Sequence, residues 1–411
     1  MKISSNRVTG LIAGLVVCVS FAGALAPTVA AEKQTVSKAA GTPLKAAQAA
    51  MKAGKYQEAL TKLKEVQAVP GKTPAEEHLM NEMLGYVYVK TNQYGEAVKV
   101  YEADLESGQV PNSEVPKRVR QLLTMHYQLK NYDKVLTYGD RAIKGGYADD
   151  DIYTLMGQAY YQKGDFKGAA RFIDGYVASI IKAGKKPKEQ LLVMIQNSCT
   201  RTSDGECLQR TLERLVSYYP KPAYWQSLVD AMYKQQSSDA VLMQVYRLAT
   251  AVDVLNRPND YTEYAQLALD AGSPGEAQMI LEKGFQKKVF TEARDLEKNK
   301  RLLESAKKQV ATSQAALQKN DADAAAAPNG DKDVSVGLAY LGYQQYDKAA
   351  SAFSRGLAKP GVPDPNQARL LLGIAELGAG RKEEARKAFK QVKGNPTLER
   401  LANLWTLHAQ A

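Results

Sequence analysis

Histidine is nearly missing from this chain: only His78, His126 and His408 occur in 411 residues. They lie far apart, and none has a second ligand at helical spacing. That argues against a metal centre, which needs several donors converging on one point. There is no G-x-S-x-G elbow, no G-x-x-x-x-G-K phosphate loop and no H-E-x-x-H helix. Acyl-transfer, nucleotide-dependent and zinc-hydrolase chemistries therefore lack their usual residues, and no enzyme is expected. Proline is sparse, at 16 residues, whereas alanine is abundant, a mix that favours many helices joined by short turns. Beyond residue 31 no apolar run reaches the roughly 18 residues of a membrane helix.

The one long apolar stretch is at the start. Lys2 and Arg7 precede the apolar segment Val8 to Leu25, and small residues follow at Ala24-Leu25-Ala26 and Thr28-Val29-Ala30-Ala31. This is the order of a signal peptide, so residues 1–31 are expected to be removed and the protein to be periplasmic. An uncleaved anchor is the alternative. Cys18 follows Val16-Val17, not the small residues of a lipoprotein. The formal charge is +11, and cleavage takes away two cations and no acid. The positives are scattered, and the short clusters at Lys182 to Lys188 and Lys298 to Arg301 lack interleaved aromatics. A solvated basic surface is expected, with no nucleic acid.

Four segments share one internal spacing. Leu84-Gly85-x-x-Tyr88 precedes Asn92-x-Tyr94-x-x-Ala97 and Tyr101. Met156-Gly157-x-x-Tyr160 precedes Phe166-x-x-Ala169 and Ile173. Val336-Gly337-x-x-Tyr340 precedes Tyr346-x-x-Ala349 and Phe353. Leu372-Gly373 precedes Gly380, Ala385 and Phe389. A small residue on each of two helices lets their backbones approach, and large residues four apart fill the space between. This pattern resembles the tetratricopeptide-repeat (TPR) family, and the resemblance implies an all-α superhelical solenoid of antiparallel helix pairs. Equivalent alanine positions recur at 59, 97, 135, 169, 208, 241, 277, 349 and 385.

These positions place a signal peptide at 1–31 and an array of about seven repeats over 44–290. A degenerate helical unit with an Ala-rich linker is expected at 291–330, and a terminal repeat pair with a capping helix at 331–411. Residues from about Leu44 to Gly284 are expected to form one continuous right-handed solenoid. Asp321 to Gly330 is expected to be mobile. Asp321, Asp323, Asp331 and Asp333 do not match a calcium loop and read as a solvated acidic linker.

In a TPR stack the first helix of each pair lines the groove. The resemblance implies groove positions at Tyr86, Lys117, Arg120, Thr124, Tyr127 and Gln128. Further along it implies Thr154, Gln158, Tyr161 and Gln162, then Gln226, Asp230 and Tyr233. Tyr127, Tyr161 and Tyr233 fall at one repeated step. Tyrosine rings either bind a peptide or pack against a neighbouring repeat, since both uses favour the same residue. Lys117 and Arg120 suit a carboxylate. Pro222-Ala-Tyr224-Trp225-Gln-Ser-Leu228, Tyr261-x-x-Tyr264-Ala265-x-Leu267-Ala268 and Glu276-Ala277-x-x-x-Leu281-Glu282-Lys283-Gly284 resemble something narrower. They are similar to periplasmic TPR proteins associated with TonB–ExbB–ExbD systems of Gram-negative bacteria. That resemblance implies a scaffold for a protein partner in TonB-dependent uptake. The alternative is an envelope assembly factor for outer-membrane or secreted proteins or polysaccharide machinery. No cofactor is implied.

After signal removal two cysteines remain, Cys199 and Cys207, on either side of Asp204-Gly205. An even count in an oxidising compartment points to a disulfide, with two buried free thiols as the alternative. A loop this short would contribute about 2–3 kcal/mol in the chain-entropy model. Thiol labelling of the unfolded, unreduced mature protein should find no free cysteine. Two labelled thiols would instead mean that both are buried free.

Overall fold

The computed structural model describes residues 36–234 and 238–410. The segment expected to be a signal peptide lies outside the described residues. Among those described there are twenty α-helices and no strand. None is long and apolar enough to cross a membrane. The chain is an all-α array of antiparallel helix pairs of the TPR type.

Helix-to-helix contacts divide the chain into two compact units, 1–115 and 116–411. The first holds α1 (Lys38–Lys52), α2 (Tyr56–Gln67), α3 (Pro74–Lys90) and α4 (Tyr94–Glu106). Its core is built from Leu44, Ala47, Ala59, Leu63, Leu84 and Val87. Glu76 ties its two pairs together. Glu76 closes a capping box with Thr73 at the start of α3. Its other carboxylate oxygen accepts from Ser37 N–H at 2.6 Å, at the N-cap of α1. The Thr73 and Ser37 bonds together hold the Glu76 carboxyl down at about 2.

The second unit contains α5 (Val115–Gln128), α6 (Tyr132–Lys144), α7 (Asp150–Gln162) and α8 (Phe166–Lys182). There follow α9 (Glu189–Arg201), α10 (Gly205–Tyr218), α11 (Pro222–Lys234), α12 (Asp239–Ala251), α13 (Pro258–Asp270) and α14 (Pro274–Gln286). It ends with α15 (Ala293–Ala326), α16 (Asp331–Gly342), α17 (Tyr346–Leu357), α18 (Pro365–Gly378), α19 (Lys382–Lys390) and α20 (Pro396–Gln410). Sequential helices pair through α14. Then α15 stands alone before the pairs α16/α17 and α18/α19.

The repeat spacing has a direct structural cause. A Cβ placed on Gly85 would come within 2.1 Å of the Tyr101 ring, and one on Gly373 within 2.3 Å of Phe389. On Gly157 it would meet Ile173 at 2.5 Å, and on Gly337 Phe353 at 2.8 Å. Each glycine is a slot for the large residue on the second helix of its own pair. The alanines opposite are sealed: Ala59, Ala97, Ala169, Ala277, Ala349 and Ala385 are fully buried, as is Val135, which replaces alanine. The intrapair turns also repeat. Gly54, Asn92, Lys130, Gly164, Ser203, Gly272, Gln344 and Gly380 all have positive φ, five residues before the alanine-equivalent position. Such a residue ends the first helix and turns the chain back.

The expected boundary at 291–330 needs correction. The structure divides near residue 115, within the stretch expected to be one solenoid, and not at the Ala-rich segment. The expected helical unit is present, but the Ala-rich stretch is no loose linker. It belongs to α15, a single 34-residue helix. Alanine has the highest helix propensity, so an Ala run prolongs a helix rather than breaking it. The end of α15 is also tied down. Asp321 accepts from Arg355 and, at 2.9 Å, from the Tyr340 hydroxyl. Lys359 Nζ donates to the Ala324 carbonyl at 2.8 Å, where a cation suits the helix C-terminus. Asp333 is fully buried between Arg355 and Lys359, so it is no solvated linker acid.

Nor are residues 331–411 a separate domain. Small residues let α16 pack directly on α14: a Cβ on Gly342 would meet Ser273 Oγ at 2.6 Å, and one on Gly275 the Tyr343 ring at 2.4 Å. The cap α20 buries Leu398, Leu401, Leu404 and Trp405 and also reaches back onto α12 and α10. There Arg400 pairs with Glu213 at 2.9 Å. One hydrophobic core runs from Ala170 to Trp405.

Two measurements check this account. Gly373→Ala should destabilise by roughly 1–3 kcal/mol through overpacking. Gly175→Ala, on α8 with nothing within 4 Å of its Cβ, should be neutral or stabilising by about 0.5–1 kcal/mol. Equal effects in thermal or urea melts would contradict the slot geometry. The Glu76 pKa lies below its ordinary 4.5, so its contribution is present above that pH and lost as pH falls towards about 2. Glu76→Gln should therefore lower the melting temperature at pH 7, with the gap to wild type closing on acidification.

Candidate groove and an acidic aromatic pocket

First helices of the pairs carry the residues expected in the groove. The Tyr127 ring, half-buried, stands edge-on to Tyr132 at 5.9 Å, and Tyr161 edge-on to Phe166 at 4.8 Å. Tyr132 and Phe166 are the first residues of the second helices, so each ring leans over the turn of its own pair. Packing within a pair therefore accounts for one side of each ring. In the first unit Tyr86 lies edge-on to Tyr56 at 6.4 Å, with the Lys90 ammonium over its face at 5.4 Å.

Polar groove positions differ in how far they are committed. Arg120 pairs with Asp149, which also caps α7 by accepting from Ile152 N–H at 3.2 Å. Burial raises the Asp149 carboxyl, but these two bonds outweigh it and the net shift is down. The carboxylate expected for Arg120 is thus supplied by the next repeat. Lys117 is exposed and does not share in that pair. Thr124 Oγ1 donates to the Arg120 carbonyl at 3.0 Å, and Thr154 does the same to Asp150 at 2.6 Å. Gln128 and Gln162 are exposed, while Gln158 is half-buried. The Gln226 amide donates to Asp230 at 3.3 Å and accepts from Asn256 at 3.0 Å.

Tyr233 is different. Its ring lies 5.1 Å from Tyr246, which stacks at 5.3 Å on Tyr264. This aromatic ladder crosses α11, α12 and α13. Beneath it the Arg247 guanidinium grips Glu276 with two bonds of 2.7 Å, and both side chains are almost wholly buried. The Tyr264 hydroxyl also donates to Glu276. Burial pushes the Glu276 carboxyl up, but Arg247 and these hydrogen bonds outweigh it and keep it ionised.

Above the ladder opens a cavity of about 370 Å³, lined by Tyr233, Leu242, Tyr246, Arg257, Pro258, Asn259, Asp260, Glu263 and Asp295. Arg257 pairs with Asp260 at 2.8 Å and with Asp230 at 3.1 Å, and its guanidinium stands 5.3 Å from the centre of the Tyr233 ring. Tyr246 donates to Glu263 at 2.7 Å. The Tyr233 hydroxyl is buried without a hydrogen-bond partner. Burial pushes both tyrosine hydroxyls far above their ordinary range, helped at Tyr246 by Glu263. They stay protonated and cannot act as bases. Burial also raises the Asp260 carboxyl despite Arg257. The cavity has acidic walls, and among the described residues that line it there is no nucleophile–base pair. Tyr246, Glu263 and Asp295 were not legible as site residues, because they come from three helices with no shared spacing.

Cys199 and Cys207 sit at bonding distance, with their Cα atoms 5.7 Å apart across the α9–α10 turn. One expectation about histidine needs correction. His78 and Glu82 are four apart on α3, and with Asp104 of α4 their ligand atoms lie within 4.8 Å of one another. The sequence hid this because the third member comes from another helix. His78 Nδ1 is hydrogen-bonded, at 2.8 Å, to the fully buried Asp104 carboxylate.

Residues 337–397 match the tetratricopeptide-repeat family model. Residues 49–184 match the C-terminal domain of the RNPP family. No curated protein matches. Among solved structures, the chain is similar to a tetratricopeptide-repeat protein from Parabacteroides merdae. Identity is 12%, with 90% of this chain and 99% of that one covered and a TM-score of 0.33. The TPR2AB domain of yeast Sti1, in complex with pHSP90, matches at 12% identity over 73% of this chain and all of that one, with a TM-score of 0.26. The maize pentatricopeptide-repeat protein PPR10 matches at 15% identity over 85% of this chain and 48% of that one, with a TM-score of 0.32.

Proposed function

We propose that this chain is an exported helical-repeat scaffold that holds a protein partner along the first helices of its second unit. The observation carrying this reading is the repeated tyrosine step. Tyr127 and Tyr161 each lean on their own pair with the rest of the ring half-exposed, and Tyr233 opens onto a cavity. Large rings beside amides supply buried area and hydrogen bonds at small entropy cost. The match of residues 49–184 to the RNPP C-terminal domain supports a ligand of peptide scale. Export rests on the N-terminal n-region, apolar stretch and small-residue exit. The TonB-dependent role rests on the resemblance of the segment from Pro220 to Phe285.

The test uses Tyr127→Ala, Tyr161→Ala and Tyr233→Ala against a purified TonB–ExbB–ExbD assembly. Each of the first two should weaken binding by roughly 1–2 kcal/mol with little change in melting temperature. Tyr233→Ala should cost more stability, because it also supports Tyr246. Large stability losses with unchanged binding would make all three rings packing residues. A native protein that ignores this assembly but retains a different envelope protein in a tyrosine-dependent way would remove the TonB role and favour assembly. N-terminal sequencing of the periplasmic protein tests export: a start near residue 32 is expected, and an intact Met1 would exclude cleavage.

A further inference from the structure

The cavity over the tyrosine ladder uses one chemical combination twice. In its first half, the Tyr233 ring and the carboxylate of Asp260, with Asp230 outside the lining, surround a cation of the chain itself, Arg257. In its second half, Tyr246 and the carboxylates of Glu263 and Asp295 lie together, and no cation of the described residues pairs with either carboxylate. The single charge of Arg257 is already divided between Asp230 and Asp260. Three carboxylates thus line the cavity against one guanidinium, in a chain whose formal charge is +11. Sites that concentrate the charge opposite to that of the whole molecule select their ligand by that charge.

Size and depth narrow the ligand. The cavity, at about 370 Å³, is near the low end of the roughly 300–1,000 Å³ typical of small-ligand sites. Its floor is fixed: Tyr246 is 2% exposed and Asp260 9%. Glu263 stands at the exposed rim. The Tyr233 ring, Leu242 and Pro258 beside carboxylates favour an ammonium with an apolar stem, since the stem covers the apolar wall while the charge meets the acids.

We propose that this cavity binds an alkylammonium group, presented as a lysine side chain on the partner segment. The inference rests on the scaffold reading above for its source, and on the cavity alone for its chemistry. A free diamine carries the same chemistry, and the experiment separates the two.

Calorimetric titration of the full mature chain would compare a short glycine-flanked lysine peptide, its norleucine counterpart and cadaverine. Saturable binding of the lysine peptide is expected, with none of the norleucine peptide. Glu263→Gln and Asp295→Asn should each weaken it roughly three- to fivefold, the range for a single partly exposed charge. Glu263 is exposed and Asp295 half-buried, the amides keep an acceptor oxygen, and unchanged helical melts would verify folding. Cadaverine binding without peptide binding would overturn the peptide source. Equal binding of lysine and norleucine peptides, or full binding by the double variant, would overturn the ammonium site. If the double variant loses ammonium binding yet holds the partner through Tyr127 and Tyr161, the lysine source falls and the scaffold stands. If the cavity binds lysine normally but no partner depends on the tyrosines, the scaffold reading falls instead.

Discussion

Everything in this molecule depends on how closely two helices of one pair can approach. The slot glycines Gly85, Gly157, Gly337 and Gly373 leave no room for even a methyl group, because Tyr101, Ile173, Phe353 and Phe389 occupy that space. Close approach fixes the register within a pair. Register within a pair presents the same ridge to the next pair, and repetition of that ridge makes an array. The buried alanines and the left-handed turn residues serve the same geometry from the opposite helix and from the connecting loop.

The second unit adds constraints that a simple stack does not need. Arg247 on α12 and Glu276 on α14 form a buried ion pair, with the Tyr264 hydroxyl from α13 completing it. Such a pair is weak evidence for net stability, but it fixes the arrangement of three helices, since any slip would strand a charge away from water. Directly above it sit the rings of Tyr233, Tyr246 and Tyr264. The acidic cavity therefore rests on the most rigidly specified part of the unit. The return of α20 onto α12 and α10 covers apolar surface that an open end would leave to water.

Much of this was legible in the chain itself. The spacing from Leu84 to Ala97, repeated at Met156, Val336 and Leu372, predicted helix pairing and close approach, because both are local consequences of residue size. The cysteine pair was legible for the same reason, as it spans one turn. The role of α15 was not. Asp321 and Ala324 to Ala327 look like a linker by composition, and only Tyr340 from α16, Arg355 from α17 and Lys359 just beyond it make them an anchored helix end. Arg120 likewise reads as a free cation until Asp149 is seen beside it. At His78 the i+4 partner Glu82 was legible and was overlooked, while Asp104, 26 residues away, was not legible.

The sequence by itself determined what one pair of helices needs: a slot, a plug, a small opposing residue and a turn. Those depend on contacts within about forty residues, where steric size alone decides the outcome. Tertiary structure decided which surfaces of different pairs meet, and so where charge is paired and where it is left over. Arg257 satisfies Asp230 and Asp260, while Glu263 and Asp295 face the same cavity without a cation of the described residues. That inequality depends on side chains from α11, α13 and α15 converging, and periodicity carries no information about such convergence.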